Sequence, residues 1–197
     1  MGSVIALSGT PGTGKSVVGQ LLAVNLGIQC LELNQIIINH GLYLGEDADR
    51  ETLIADIEKV RDYFLTTLEE GKTRYVVVGH FADEVPQDLL EVLIILRCNP
   101  VILSQRLQKK GWSVEKIVEN LQAELLGECT AQAIARHDLS QIFEIDTSQK
   151  TPQETVEAIN NILAGKGSNF TVGEISWLRS LDEKLVYQIM EKNMLPS

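Results

Sequence analysis

Along this chain, short apolar runs alternate with longer stretches in which apolar residues recur every three or four positions. The runs are VIAL (4–7), IQCL (28–31), YVVV (75–78), VLIIL (92–96) and IFEI (142–145). The first, third and fourth are nearly continuous in apolar residues, the pattern of strands buried on both faces of a parallel sheet. Leu53, Ile57, Val60, Phe64 and Leu68 predict an amphipathic helix that Gly71 closes. Asn99 as N-cap and Pro100 at the first helical position open another, which stops at Gly111. Thr151 and Glu154 form the pattern of a capping box, with Gly165 ending the helix that follows. Strand and helix alternating in this order predict a doubly wound α/β domain.

Beyond it, GKGSNF (165–170) reads as a linker. Thr171 and Glu174 predict a further capping box, and Ile175, Leu178, Leu181, Leu185 and Ile189 the apolar face of one terminal helix. That helix is expected to pack back on the domain, with partner binding as the sharper alternative. The expected division is a main domain over residues 1–164, then a linker and C-terminal amphipathic helix over 165–197.

Composition changes this picture little. A chain of 197 residues, 44% hydrophobic and 22% charged, fits one soluble domain with a small appendage. Its net charge of −10, from 27 acids against 17 bases, argues against non-specific binding of nucleic acid and suits either a basic protein partner or simply a charge that keeps the chain in solution. Cys30, Cys98 and Cys129 are widely spaced, which argues against a zinc site or a disulfide framework and fits a reducing compartment. No apolar run approaches the ~20 residues of a membrane span. The start carries neither a secretory pattern nor, with Ala6 where Ser or Thr is needed, a myristoylation site. A cytoplasmic protein without membrane contact is expected.

The chemistry is announced by SGTPGTGKS (8–16). Gly9, Gly14, Lys15 and Ser16 fit G-x-x-x-x-G-K-[ST], directly after a predicted strand and opening a predicted helix. Gly12 and Gly14 let the backbone turn tightly and bring N–H groups against phosphate oxygens. The helix N-terminus aims its positive end at the same anions. Lys15 is then placed for the β- and γ-phosphates, and the Ser16 hydroxyl for Mg²⁺. Mg-ATP is the expected cofactor. The chain lacks the N-K-x-D stretch of a GTPase, and its length argues against a large motor or AAA-type ATPase. A small kinase-like domain remains.

The ordered set of GTPGTGKS, NHGLYLGEDADRETLIADIEKV, VVVGH, LRCNPVILSQRLQKKGW and KIVENLQAELL, spread from about Val4 to Leu163, resembles adenylate kinase isoenzyme 6 and its archaeal relatives. The resemblance implies a P-loop NTPase fold of the nucleoside monophosphate kinase type. That means a five-stranded parallel sheet with helices on both faces, a short acceptor-binding insert (about 32–55) and a short lid (about 109–119). It implies phosphate transfer from ATP to AMP, ATP hydrolysis, and a part in late maturation of the small ribosomal subunit and its rRNA through a platform ribosomal protein. Nucleic acid would then be met only indirectly, through the pre-ribosome.

Carried over position by position, the resemblance puts ATP against Gly12, Gly14, Lys15, Ser16 and the backbone of Val17. Lys110 stands where a lid arginine contacts ATP, and Arg106, one turn earlier, could share that task. His80 matches a histidine that orients water or a phosphate oxygen. Two departures stand out. Val78 occupies the place of an acid that helps hold Mg²⁺, leaving Asp83 or Glu84 as substitutes a few residues on. The insert contains only Arg50, with Arg97, Arg106 and Arg136 as the candidates outside it for stabilising the moving phosphoryl group. Asp56 matches an acidic position near the insert's end, or is simply a helix-face aspartate. Three functions follow: a nucleoside monophosphate kinase, an assembly ATPase with incidental transfer to AMP, and, less in keeping with the insert and lid motifs, a small-metabolite kinase.

Overall fold

A computed structural model of the protein describes residues 4–47, 52–68, 73–191 and 195–196. The chain begins with β1 (Val4–Ser8), α1 (Lys15–Leu26), β2 (Gln29–Glu32) and α2 (Leu33–His40). A hairpin, β3 (Tyr43–Asp47) and β4 (Thr52–Ala55), leads to α3 (Ile57–Leu68) and β5 (Tyr75–Val78). Then come β6 (Leu90–Arg97), α4 (Pro100–Lys109), α5 (Val114–Leu126) and α6 (Glu128–Arg136). The last elements are β7 (Ile142–Asp146), α7 (Pro152–Leu163), α8 (Trp177–Ser180) and α9 (Glu183–Met190). Five strands form one parallel sheet in the order β2-β5-β1-β6-β7.

Strand alternation sorts the side chains between two layers. Ile5, Leu7, Val76, Val78, Ile94 and Leu96 pack with Val18 and Leu22 of α1 and with Val156 and Ile159 of α7. Val4, Ala6, Val77, Leu93 and Ile95 face the opposite way, against α2, α3 and α6 through Leu33, Phe64 and Ala133. From β1 the chain crosses over toward β2 on one side, and from its neighbour β6 toward β7 on the other, so the crossovers diverge there and open a crevice at the carboxyl end of the sheet.

The five predicted strands are all present. The Asn99 side chain accepts from the Val101 N–H at 2.9 Å, and Thr151 and Glu154 form their capping box. Two expectations are corrected. Leu53 belongs to β4, because Asp56 accepts from the Lys59 N–H and so caps α3, leaving Leu53 upstream of the helix. Gly71, expected to close α3, lies outside the described residues.

The single terminal helix is also corrected. Thr171 bridges to Phe143 beside the sheet, so no capping box opens there. Leu181 is extended, and Asp182 restarts the helix by accepting from the Lys184 N–H. Breaking the helix lets Ile175, Trp177, Leu181, Leu185 and Ile189 converge on one cluster with Leu103 and Leu107 of α4 and Leu121 of α5, while Leu178 stays exposed. The terminal segment does pack back on the domain, as expected.

Candidate active site

The loop between β1 and α1 lies at the head of the crevice. Gly12 (φ +94°) and Gly14 (φ +102°) hold left-handed conformations that a β-carbon would strain, and a β-carbon on Gly12 would meet Leu103 at 2.8 Å. The first turn of α1 contains no acid of its own, so its free N–H groups and positive dipole end are presented to the crevice. Lys15 Nζ donates to the Gly9 and Thr10 carbonyls at 2.6 and 3.1 Å. Burial lowers its pKa to about 8, against the pull of Glu124 and Glu32. A desolvated cation whose hydrogen bonds among the described residues go to two carbonyls gains much from an incoming polyphosphate.

A cleft of about 1270 Å³ spreads from this loop toward the α4–α5 turn. Of the residues expected to contact ATP or to orient water at it, Gly12, Gly14, Lys15, Ser16, Val17, His80 and Lys110 all line this cleft, with one exception. That exception is Arg106, which lies behind the loop. Its guanidinium donates to the Gly12 and Thr147 carbonyls at 3.5 and 2.7 Å, tying the loop to the end of β7. Lys110, Trp112 and Lys116 form the far wall, where the Lys116 ammonium sits 4.8 Å over the Trp112 ring.

His80 follows β5 by two residues, with Nδ1 3.8 Å from the Cys129 sulfur. Burial, and then the Lys15 charge, lower its pKa, so the imidazole is neutral at pH 7. The Cys129 thiol is pushed up to about 11, chiefly by burial.

The remaining candidates are spoken for. Arg97 is expected from its place after the fourth core strand to face the reaction centre; instead it is buried. It donates through Nε to Glu124 at 2.8 Å and through Nη1 to Glu144 at 2.5 Å. Burial alone would lower its pKa, but these carboxylates outweigh that and raise it. Arg136 holds Asp83 and Glu84 at 2.6 and 2.9 Å, and Arg61 also holds Glu84. The expectation that one of them reaches Mg²⁺ is corrected: Arg136 holds an oxygen of each acid and Arg61 a further bond to Glu84, although Asp83 Oδ1 meets no donor among the described residues. Asp56 caps a helix, and Arg50 lies outside the described residues.

Two acids were missed. Glu124 accepts from Arg97, the Cys98 N–H, Trp177 Nε1 and, through its second oxygen, the Thr10 hydroxyl at 2.6 Å. Glu32, at the end of β2, accepts from the Ser16 hydroxyl at 3.1 Å. A charge at the carboxyl end of an apolar run was a usable signal for Glu32. No spacing marked Glu124, one of several acids on an amphipathic helix, although it lies in the KIVENLQAELL stretch that carries the family resemblance.

This sheet order, loop and cleft define a P-loop protein of nucleoside monophosphate kinase-like architecture. The family described as "AAA domain" matches residues 5–127. The chain is 36% identical over 180 residues to a Methanococcus maripaludis protein named "Putative adenylate kinase", covering 89% of this chain and 95% of that one. A protein of the same name from Pyrococcus abyssi is 36% identical over 185 residues, covering 93% and 96%. The chain belongs to this family of archaeal proteins. Length, taken above to argue against an AAA label, does not do so, since that match fits within the phosphate-loop domain. Among solved structures, shikimate kinase from Acinetobacter baumannii in complex with shikimate superposes with a TM-score of 0.58 at 18% identity, covering 85% of this chain and 96% of that one. Deoxyadenosine kinase from M. mycoides does so with a TM-score of 0.50 at 18% identity, covering 82% and 98%. These two likenesses are of fold.

Proposed function

We propose that this P-loop kinase transfers the γ-phosphoryl group of ATP to a nucleoside monophosphate, AMP foremost, yielding two nucleoside diphosphates, and to water when no acceptor is bound. The observation that carries the reading is the convergence of the Lys15–Ser16 loop, His80 and the Lys110–Lys116 wall on one cleft. The names of the archaeal relatives support AMP as acceptor.

The donor triphosphate lies along the loop, its oxygens taking N–H bonds from the start of α1. Lys15 swings from the Gly9 and Thr10 carbonyls to the β- and γ-oxygens. An acceptor phosphate oxygen attacks the γ-phosphorus as the bond to the ADP oxygen breaks. The acceptor is already an anion, so no base is needed. Hydrolysis differs, because water must lose a proton. Neutral His80 can orient that water and take the proton.

Magnesium fits the donor set: Ser16 brings a hydroxyl, and Glu32 a carboxylate with an oxygen left over. When bound, the ion neutralises charge on the β- and γ-phosphates. Lys110, exposed at the end of α4, closes the far side as a point charge.

A second reading, an assembly ATPase that docks on a basic ribosomal protein during small-subunit maturation, is favoured by one observation. Arg61, Arg74, Arg97 and Arg136 are all bound to carboxylates, so few guanidinium groups remain for a moving phosphoryl group. The two readings separate in a coupled assay of ADP formation from ATP alone and with each monophosphate. A kinase accelerates with AMP; an unchanged rate for every acceptor leaves the ATPase.

A further inference from the structure

We propose that Glu32 is the carboxylate that holds the hydrated magnesium ion of the nucleotide, supplied by β2 in place of β5. The inference rests on the ATP-site reading above and adds to it the residue on which the metal depends.

β2 and β5 are parallel neighbours in register, with Glu32 paired to Val78. Residues paired in this way project from the same face of the sheet, about 4.8 Å apart. Here that face is the one covered by α1, since Val78 packs with Val18 and Leu22 and Glu32 meets Ser16. The strand nearest the loop thus ends in a buried valine that brings no oxygen, and the next strand places a carboxylate beside the same hydroxyl.

The rest of the Glu32 environment leaves the acid without a structural task. It occupies the N-cap position of α2, yet its side chain makes no capping hydrogen bond. Its Oε2 accepts from Ser16, while Oε1 is buried and accepts no hydrogen bond from any described residue. A buried carboxylate oxygen is costly unless a donor meets it. Magnesium keeps several of its waters when it binds a nucleotide, and those waters are strong donors. One of them on Oε1, with the Ser16 hydroxyl turned to the metal, would satisfy both groups at once. The start of α2 adds a favourable field for the negative charge.

The experiment is calorimetric titration of ATP into the full-length protein, in excess magnesium and in EDTA, for the wild type, Glu32→Gln, and Glu32→Gln combined with Val78→Asp. The wild type is expected to bind at least about tenfold more tightly with magnesium. Glu32→Gln, having lost a negative charge near the phosphates, should bind metal-free ATP as well as the wild type or better, and should lose most of the magnesium gain. Restoring a carboxylate from the paired position of β5 should recover part of it. A merely structural glutamate would weaken both arms together, and that outcome overturns the proposal. So does a Glu32→Gln protein that keeps the full magnesium gain. If the wild type binds ATP in neither buffer, the ATP-site reading itself has failed, an outcome distinct from the other two.

Discussion

Two polar clusters lie side by side at the carboxyl end of the sheet, one around Lys15 and one around Arg97. Arg97 ends β6 and Lys15 opens α1, each within reach of carboxylates, yet the two have opposite characters. Arg97 is 3% exposed, and its Nε and Nη donors go to Glu124, Glu144, Thr130 and the Glu124 carbonyl. Lys15 borders an open cleft, rests on two carbonyls, and has a pKa lowered to about 8 by burial. Nearby, Glu32 keeps a buried oxygen that meets no donor among the described residues. The Arg97 cluster has its hydrogen bonds made; the Lys15 cluster has bonds still to make. The end of a strand, where Arg97 sits, does not by itself mark a catalytic charge; unmet bonding capacity at the border of an open cleft is the better guide. The two clusters touch through the Thr10–Glu124 hydrogen bond, so the satisfied one braces the loop of the other.

Substitutions should separate them. The largest effect is expected for Lys15→Ala, which should lower ATP turnover by roughly 10²–10³-fold or more while melting stays near wild type; steady-state ADP formation and calorimetry check both. Wild-type turnover in that variant would end the assignment.

Arg97→Met should do the reverse. It strands Glu124 and Glu144 in the interior and should cost about 3–5 kcal/mol in chemical denaturation. If Arg97→Met were to fold with wild-type stability and lose catalysis, the contrast drawn here would collapse. His80→Gly is expected to slow ATP hydrolysis by about 10²-fold and transfer to AMP by less, since only water needs a proton acceptor. Equal losses in the two assays would assign His80 to both reactions.

Smaller effects test the brace. Trp177→Phe removes one bond to Glu124 and should cost about 1 kcal/mol of stability. The smallest concerns Cys98, whose thiol burial pushes up to about 11 from 9.0. Between those values the unfolded chain ionises this thiol and the folded chain does not. Stability is therefore present below pH 9 and lost as pH rises toward 11. Cys98→Ala should flatten the alkaline fall in melting temperature.

Much of the architecture was legible in the chain. Continuous apolar runs, the caps at Asn99 and Thr151, and the Gly-x-x-x-x-Gly-Lys-Ser spacing are local signals, and each is realised where it was expected. The β3–β4 hairpin was not read, because Leu53 falls in phase with the helical spacing of α3 and only the Asp56 cap separates the two. The terminal helix failed in the same manner: a sound apolar period was read straight through the break at Leu181 and Asp182.

The sequence by itself determined the sheet's apolar strands, the helix that opens at Lys15, and a loop whose glycines and single ammonium suit a polyphosphate. These depend on residues within a few positions of one another, where backbone geometry and side-chain period act directly. Only the tertiary structure decided which charges are free. Arg97, Arg136, Asp83 and Glu84 find their ion-pair partners between 23 and 53 positions away along the chain. Glu32 meets Ser16 only because β2 and α1 fold against each other. Electrostatic partnership is set by distance in space, and separation along the chain carries almost no information about it.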